Sequence, residues 1–399
     1  MVTFLRFKAS LKFMKKQWNL IAPVALVILA ALALAGWRTW GPHKSAGGWP
    51  ELKGGVYSES VTSAGLQYLV PPDEIYASGL SAEDRPALVN PSMVDVSVAD
   101  VKLADDLEGI AVTVGNQQRF YPFQILNWHE VVLDQTTDEN LLITYSSLTG
   151  SAVVYDAAVA GPTDELHSMQ DAGKVYNNAM LMVDGYGTLW NQTTGQAVVG
   201  ETVGQKLEIY PSVVMSWADW KDLHPDGLAM STGTGYSRDY GRHPFGSYET
   251  SPGIFFPSNY VVPNVATKDI VYRLDLGSEP VVFLERYVPL QEDTNVDIEV
   301  ELGTISVVAF YDEALQSVRV FNRQQPLGTT YTFEQRGGKI TDKETGSTWS
   351  ATGLAVAGKL RGTQLEEMSV TRHYAFAHFA MYPNSIISGE ELLPKEETE

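Results

Sequence analysis

Gly187–Glu208 reads GTLWNQTTGQAVVGETVGQKLE, and Gly346–Glu366 reads GSTWSATGLAVAGKLRGTQLE. With one single-residue gap the two stretches share ten identities, among them Trp190/Trp349, Gly195/Gly353, Gly200/Gly358, Gly204/Gly362 and Leu207-Glu208/Leu365-Glu366. The offset of about 160 residues is too long for a solenoid unit and suits a duplicated domain. The match continues on both sides. Downstream, Pro225 falls on Pro383; upstream, Ser151–Asp156 parallels Ser317–Asn322, and the segment around Gly115 parallels Val271–Gly277. The expected architecture is therefore mainly β (α+β), with two related β-rich lobes at 84–264 and 265–390.

Local patterns agree. Gly109–Phe123 alternates apolar and polar residues around Gly115-Asn116, a hairpin signal. Leu141–Tyr145, Ala152–Tyr155 and Ala179–Val183 are short β-type runs set off by Gly, Ser, Asp and Asn. The best helical candidates are Pro122–Leu133, Val213–Leu223 and a counterpart near Val370–Met381.

Ahead of the lobes stands a different kind of segment. Leu20–Trp37 is an uncharged apolar run whose 18 residues come close to crossing a hydrocarbon core of ~30 Å. Trp18, Trp37 and Trp40 flank it, and Arg6, Lys8, Lys12, Lys15 and Lys16 precede it. The positive-inside bias places residues 1–19 in the cytoplasm, 20–40 across the bilayer and the remainder outside. A cleavable signal peptide is the competing reading, because Ala31-Leu32-Ala33 and Ala33-Leu34-Ala35 resemble cleavage sites. Both readings export the body. Residues 41–83 form a linker and N-terminal extension, and 391–399 an acidic tail.

Charge and cysteine content exclude whole classes of function. The chain of 399 residues carries a net charge of -20, and its first 16 residues hold five bases and no acid, so the rest is more acidic still. Such a body repels phosphate backbones and does not bind nucleic acid. There is no cysteine, which removes disulfides, thiolate metal sites and thiol nucleophiles. No serine-nucleophile frame, zinc-protease helix or dinucleotide fingerprint is present, and the sequence assigns no cofactor.

Within the repeat, features of one lobe alone are where chemistry is expected. The first lobe carries Trp128-His129-Glu130, Trp220 and His224-Pro225. His129, Glu130 and His224 are candidate acid–base groups, and His129 and His224 candidate metal ligands, since neutral imidazole serves both. Adjacent residues point about 100° apart on a helix, so His129 and Glu130 cannot form an i, i+4 metal pair. The alternative for His129 is a backbone hydrogen bond in the core, and for His224 a helix cap or turn. The loop Gly233–Pro257 is rich in Gly, Tyr and Pro. Trp128, Trp220, Arg238, Asp239 and Tyr240 are candidates for ligand contact, and a packed interlobe connection is the alternative.

Several of these strings carry a family resemblance. Arg85–Pro91, Phe120–Glu130, Ile143–Tyr145, Leu189-Trp190, Trp217–Trp220 with His224-Pro225, and Thr232–Tyr240 resemble the prokaryotic family catalogued as domain of unknown function three-one-seven-nine. The resemblance covers roughly residues 84–388. It implies a β-rich, exported or anchored protein; it supplies no activity and so transfers no catalytic residue. Members usually carry a cysteine after the Thr-Tyr pair, where this chain has Ser146-Ser147-Leu148-Thr149. Three functions follow as expectations: a surface binding or interaction module, an extracytoplasmic enzyme with its site in the first lobe, or a self-associating envelope protein.

Overall fold

The computed structural model describes residues 61–63, 65–157, 169–259, 265–313, 316–324 and 328–393. The expected leader and anchor, residues 41–60 and 64 of the linker and N-terminal extension, and residues 394–399 of the acidic tail lie outside the described residues. Among the described residues, no helix is long and apolar enough to cross a membrane.

The fold is mainly β, built from several sheets. Its centre is an eight-stranded sheet in the order Ile386–Ser388, Val281–Leu284, Ile270–Leu274, Thr371–Tyr374, Ser151–Asp156, Asn140–Ser146, Val131–Gln135 and Leu88–Val89. Strands from both halves of the sequence meet in it, and Ala152 opposite Arg372 is the register pair at the junction. A five-stranded sheet is built on the hairpin Glu108–Val114/Gln117–Pro122, a seven-stranded sheet on Gln170–Val199, and two four-stranded sheets on residues 295–367.

The hairpin at Gly115 forms as its pattern predicts, with Val114 opposite Gln117 and Gly115 at φ 56°. Val213–Ser216 pairs antiparallel with its first strand and Leu228–Met230 parallel with its second. The same wiring recurs in the second half. Thr371–Tyr374 lies antiparallel to Ile270–Leu274, and Ile386–Ser388 parallel to Val281–Leu284. Each flanking pair is joined through a seven-residue helix, Trp217–Leu223 or Ala375–Met381. The helices end at His224 (φ -132°, ψ 63°) and Tyr382 (φ -132°, ψ 68°), nearly the same backbone geometry.

The repeated stretches 187–208 and 346–366 also share their local chemistry. Trp190 Nε1 donates to Asp184 Oδ2 at 3.0 Å, and Trp349 Nε1 to Asp342 Oδ2 at 2.9 Å. Leu207 N–H donates to the Gly195 carbonyl and Leu365 N–H to that of Gly353, each at 2.9 Å. Gly195 and Gly353 have φ of 69° and 75°, in the left-handed region that favours glycine. A Cβ at either position would lie 2.6 Å from a ring carbon, of Tyr155 or of Phe321.

The helices are shorter than their sequence patterns predict. Pro122–Leu133 gives a helix only at Phe123–Leu126, after which Val131–Gln135 is a strand paired with Asn140–Ser146. β-Branched Val131 and Val132 stiffen the backbone for that strand. Val213–Leu223 and Val370–Met381 each divide into a strand followed by a helix. In the first, Ser216 Oγ accepts from Asp219 N–H at 3.2 Å and sets the helix start.

Candidate functional site

His129 follows the short helix Phe123–Leu126 and is fully buried. Its Nδ1 lies 2.7 Å from the Pro86 carbonyl and its Nε2 2.8 Å from the Tyr240 hydroxyl. A carbonyl only accepts, so Nδ1 carries the proton. Nε2 then accepts from Tyr240, whose oxygen is in turn 2.5 Å from Thr234 Oγ1. Burial holds the imidazole below its ordinary pKa, favouring the neutral ring this chain requires. With both nitrogens engaged, His129 has no lone pair to offer a metal.

Glu130 points elsewhere. Arg85 bridges the Glu130 and Asp171 carboxylates, with Arg85 and Asp171 2.6 Å apart, and all three side chains are almost wholly buried. Burial raises both carboxyl pKa values, against the pull of the shared guanidinium. The triad ties the segments around residues 85, 130 and 171 together inside the protein.

The remaining candidates are dispersed. Trp220 is buried among Phe120 and Trp217, a core position rather than a ligand platform. His224 lies beside the Trp220 ring and lines a separate groove of about 700 Å³ with Asp219, Asp222 and Arg319. Trp128 donates its indole N–H to the Arg242 carbonyl at 3.1 Å, with the Arg238 guanidinium 5.8 Å from its ring centroid. Arg238 also donates to the carbonyls of Glu83 and Asp84, and Asp239 accepts from Gly241 N–H. The loop 233–257 is thus fastened to the body by its own polar groups. Among the described residues no three His, Asp or Glu side chains gather as a metal site.

One cavity collects chemistry that sequence reasoning missed. About 580 Å³ in volume, it lies where the Glu108 strand, the central sheet and the loop 233–257 meet. Tyr145 and Arg372 reach it from the two strands that flank Ser151–Asp156, Asn127 from the end of the short helix, and His243 and Glu249 from the loop. Tyr145 donates to Glu249 Oε1 at 3.2 Å, and His243 Nε2 is 3.2 Å from the same oxygen. His243 Nδ1 accepts from Phe245 N–H at 3.1 Å, which leaves the ring proton on Nε2, facing Glu249. Burial pushes the Glu249 carboxyl up, but His243, Tyr145 and Arg372 outweigh it and hold the group below its ordinary value.

Arg372 faces Glu108 at 3.3 Å with most of its side chain covered. Asn127 is 7% exposed, and its Oδ1 is a buried acceptor with no hydrogen-bond partner. A buried, unpartnered amide oxygen costs free energy unless something fills the bond. Of the sequence candidates only Tyr240 lines this cavity. A signal did exist in the sequence, because Arg242, His243 and Glu249 all lie in the loop whose length and composition stood out.

Comparison with curated proteins finds no match, and comparison with solved structures finds none. A family model matches residues 83–385, more than half of the chain and most of the described residues. The chain therefore belongs to the family described as protein of unknown function (DUF3179).

Proposed function

We propose that this protein is a membrane-anchored extracytoplasmic binding module that takes a small polar ligand in the cavity beside Asn127. The apolar run 20–37 and the five bases before it support the anchor and its orientation. The recurring strand wiring and the paired Trp–Asp contacts support two halves related by duplication, with the cavity near their shared sheet. The observation that carries the binding reading is a cavity lined by both signs of charge, one of whose lining residues, Asn127, has a buried amide oxygen without a partner. Its volume lies within the usual range of ligand sites.

The test is a thermal-shift screen of the full chain in detergent micelles against amino acids, dipeptides, small carboxylates, sugars and sugar phosphates. A compound that raises the Tm of the wild type and not of Asn127→Leu supports the site. No shift with any class, or equal shifts in both proteins, rejects it. Immunoblotting of membrane and medium fractions tests the anchor, and a shortened species confined to the medium overturns it.

A second reading rests on the His243–Glu249–Tyr145 contacts. The Glu249 carboxylate, held ionised by these neighbours and partly open to the cavity, is placed to act as a general base. On this reading Glu249→Gln removes turnover of a bound compound, and unchanged turnover rejects it.

A further inference from the structure

The cavity's charges identify the ligand class more narrowly. In a chain with 48 acids against 28 Lys and Arg, its lining holds Asp106, Glu108 and Glu249 against Arg242, Lys268 and Arg372. Cations are thus concentrated here relative to the rest of an acidic protein. Lys268 is already occupied: its Nζ donates to the carbonyls of Tyr248 and Ser251 and lies 3.4 Å from the Tyr248 ring centroid. The guanidinium groups of Arg372 and Arg242 are what the cavity offers an anion, and a guanidinium fork matches a carboxylate. The acceptors are equally distinct, because Asn127 Oδ1 is buried without a donor and Glu249 keeps two fifths of its side chain exposed. A simple anion would leave Asn127 Oδ1 unanswered, and a simple cation would leave unanswered Arg242 and the Arg372 donors that Glu108 does not use. Between them, Phe123 and Tyr145 stack at 4.0 Å and give the cavity an aromatic wall.

We infer that the cavity takes a small zwitterion, an amino acid or short peptide, with its carboxylate on Arg372 and Arg242 and its ammonium on Glu249 and Asn127 Oδ1. This rests on the cavity being the binding site.

The experiment is calorimetric titration of the full chain in detergent micelles with four probes. They are alanyl-alanine, its N-acetyl derivative, its C-terminal amide, and glucose. The dipeptide is expected to bind at least tenfold more tightly than either capped form. Arg372→Gln should bring its affinity down to that of the amide, and Glu249→Gln down to that of the acetyl derivative. The exposed Glu249 position keeps the test open if Arg372→Gln fails to fold. Capped forms that bind as well as the dipeptide overturn the zwitterion. Glucose binding that Asn127→Leu abolishes also overturns it, while leaving the cavity as the site. Failure of every probe, or binding that Asn127→Leu leaves unchanged, removes both readings.

Discussion

Ala152 and Arg372 stand opposite each other across two antiparallel strands that are 220 positions apart in sequence, and their pairing joins the halves of the central sheet. The same strand position brings the Arg372 guanidinium to the cavity, against Glu108 and within electrostatic reach of Tyr272, Tyr145 and Glu285. One residue thus serves the seam and the cavity together. Arg372→Ala removes the cation and leaves Glu285 in a buried setting that already raises its pKa. We expect a loss of about 2 kcal/mol in urea unfolding, the order of a charged hydrogen-bonded contact, with Arg372→Lys recovering part of it. A change below about 0.5 kcal/mol would detach the seam from this side chain.

Glu130 gives a pH prediction with a definite sign. Burial raises its carboxyl to about 7, well above the value expected in an unfolded chain. The folded state therefore holds a proton that the unfolded state has released, and stability falls as pH rises from about 4.5 through 7. Glu130→Gln fixes the side chain in a neutral, protonated-like form. Relative to wild type, the variant should gain stability as pH rises from about 5 to 7 and level off above that, measured by urea midpoints in constant ionic strength. A difference that is flat across this range would count against a raised Glu130.

The sequence made the scaffold legible because the repeat is carried by glycines with local reasons to be glycine. Gly195 and Gly353 are read correctly without any knowledge of the fold, since their backbone angles are set within their own turns. The cavity was not legible. Glu108, Asn127, Tyr145, Glu249 and Arg372 come from five separated segments, and no local pattern brings them together. Arg372 lay inside a run that reads as helix, which hid its alternation with Tyr374 on one strand. His129 stood out correctly as unusual, but a single sequence does not tell a histidine with both nitrogens engaged from one that is free.

Matched substitutions test the equivalence of the two repeats. Alanine at Gly195 or Gly353 must adopt a left-handed backbone and place its Cβ against an aromatic ring. Each change should cost about 1–3 kcal/mol, the scale of a strained backbone position with a close contact. The two costs should agree within a factor of about two, because both neighbours are rings on the equivalent strand, Tyr155 and Phe321. Chemical denaturation of both single variants measures this, and a neutral result at only one position would show that the two turns are not doing the same work.

The chain from Thr234 through Tyr240 to His129 and Pro86 yields the last prediction. Tyr240→Phe removes one hydroxyl and leaves His129 Nε2 as a buried acceptor with no donor. Leaving a buried acceptor unsatisfied costs about 1–3 kcal/mol. Acid does not relieve the loss, because a second ring proton would make Nε2 a buried donor with no acceptor, and burial places that protonation below the ordinary histidine range. His129→Gln keeps a polar group near Pro86 but loses the ring, so it should destabilise as much or more. If His129 were instead a metal ligand, both variants would change bound metal, measured by elemental analysis of the purified chain. Destabilisation with no change in metal content is the outcome that the geometry requires.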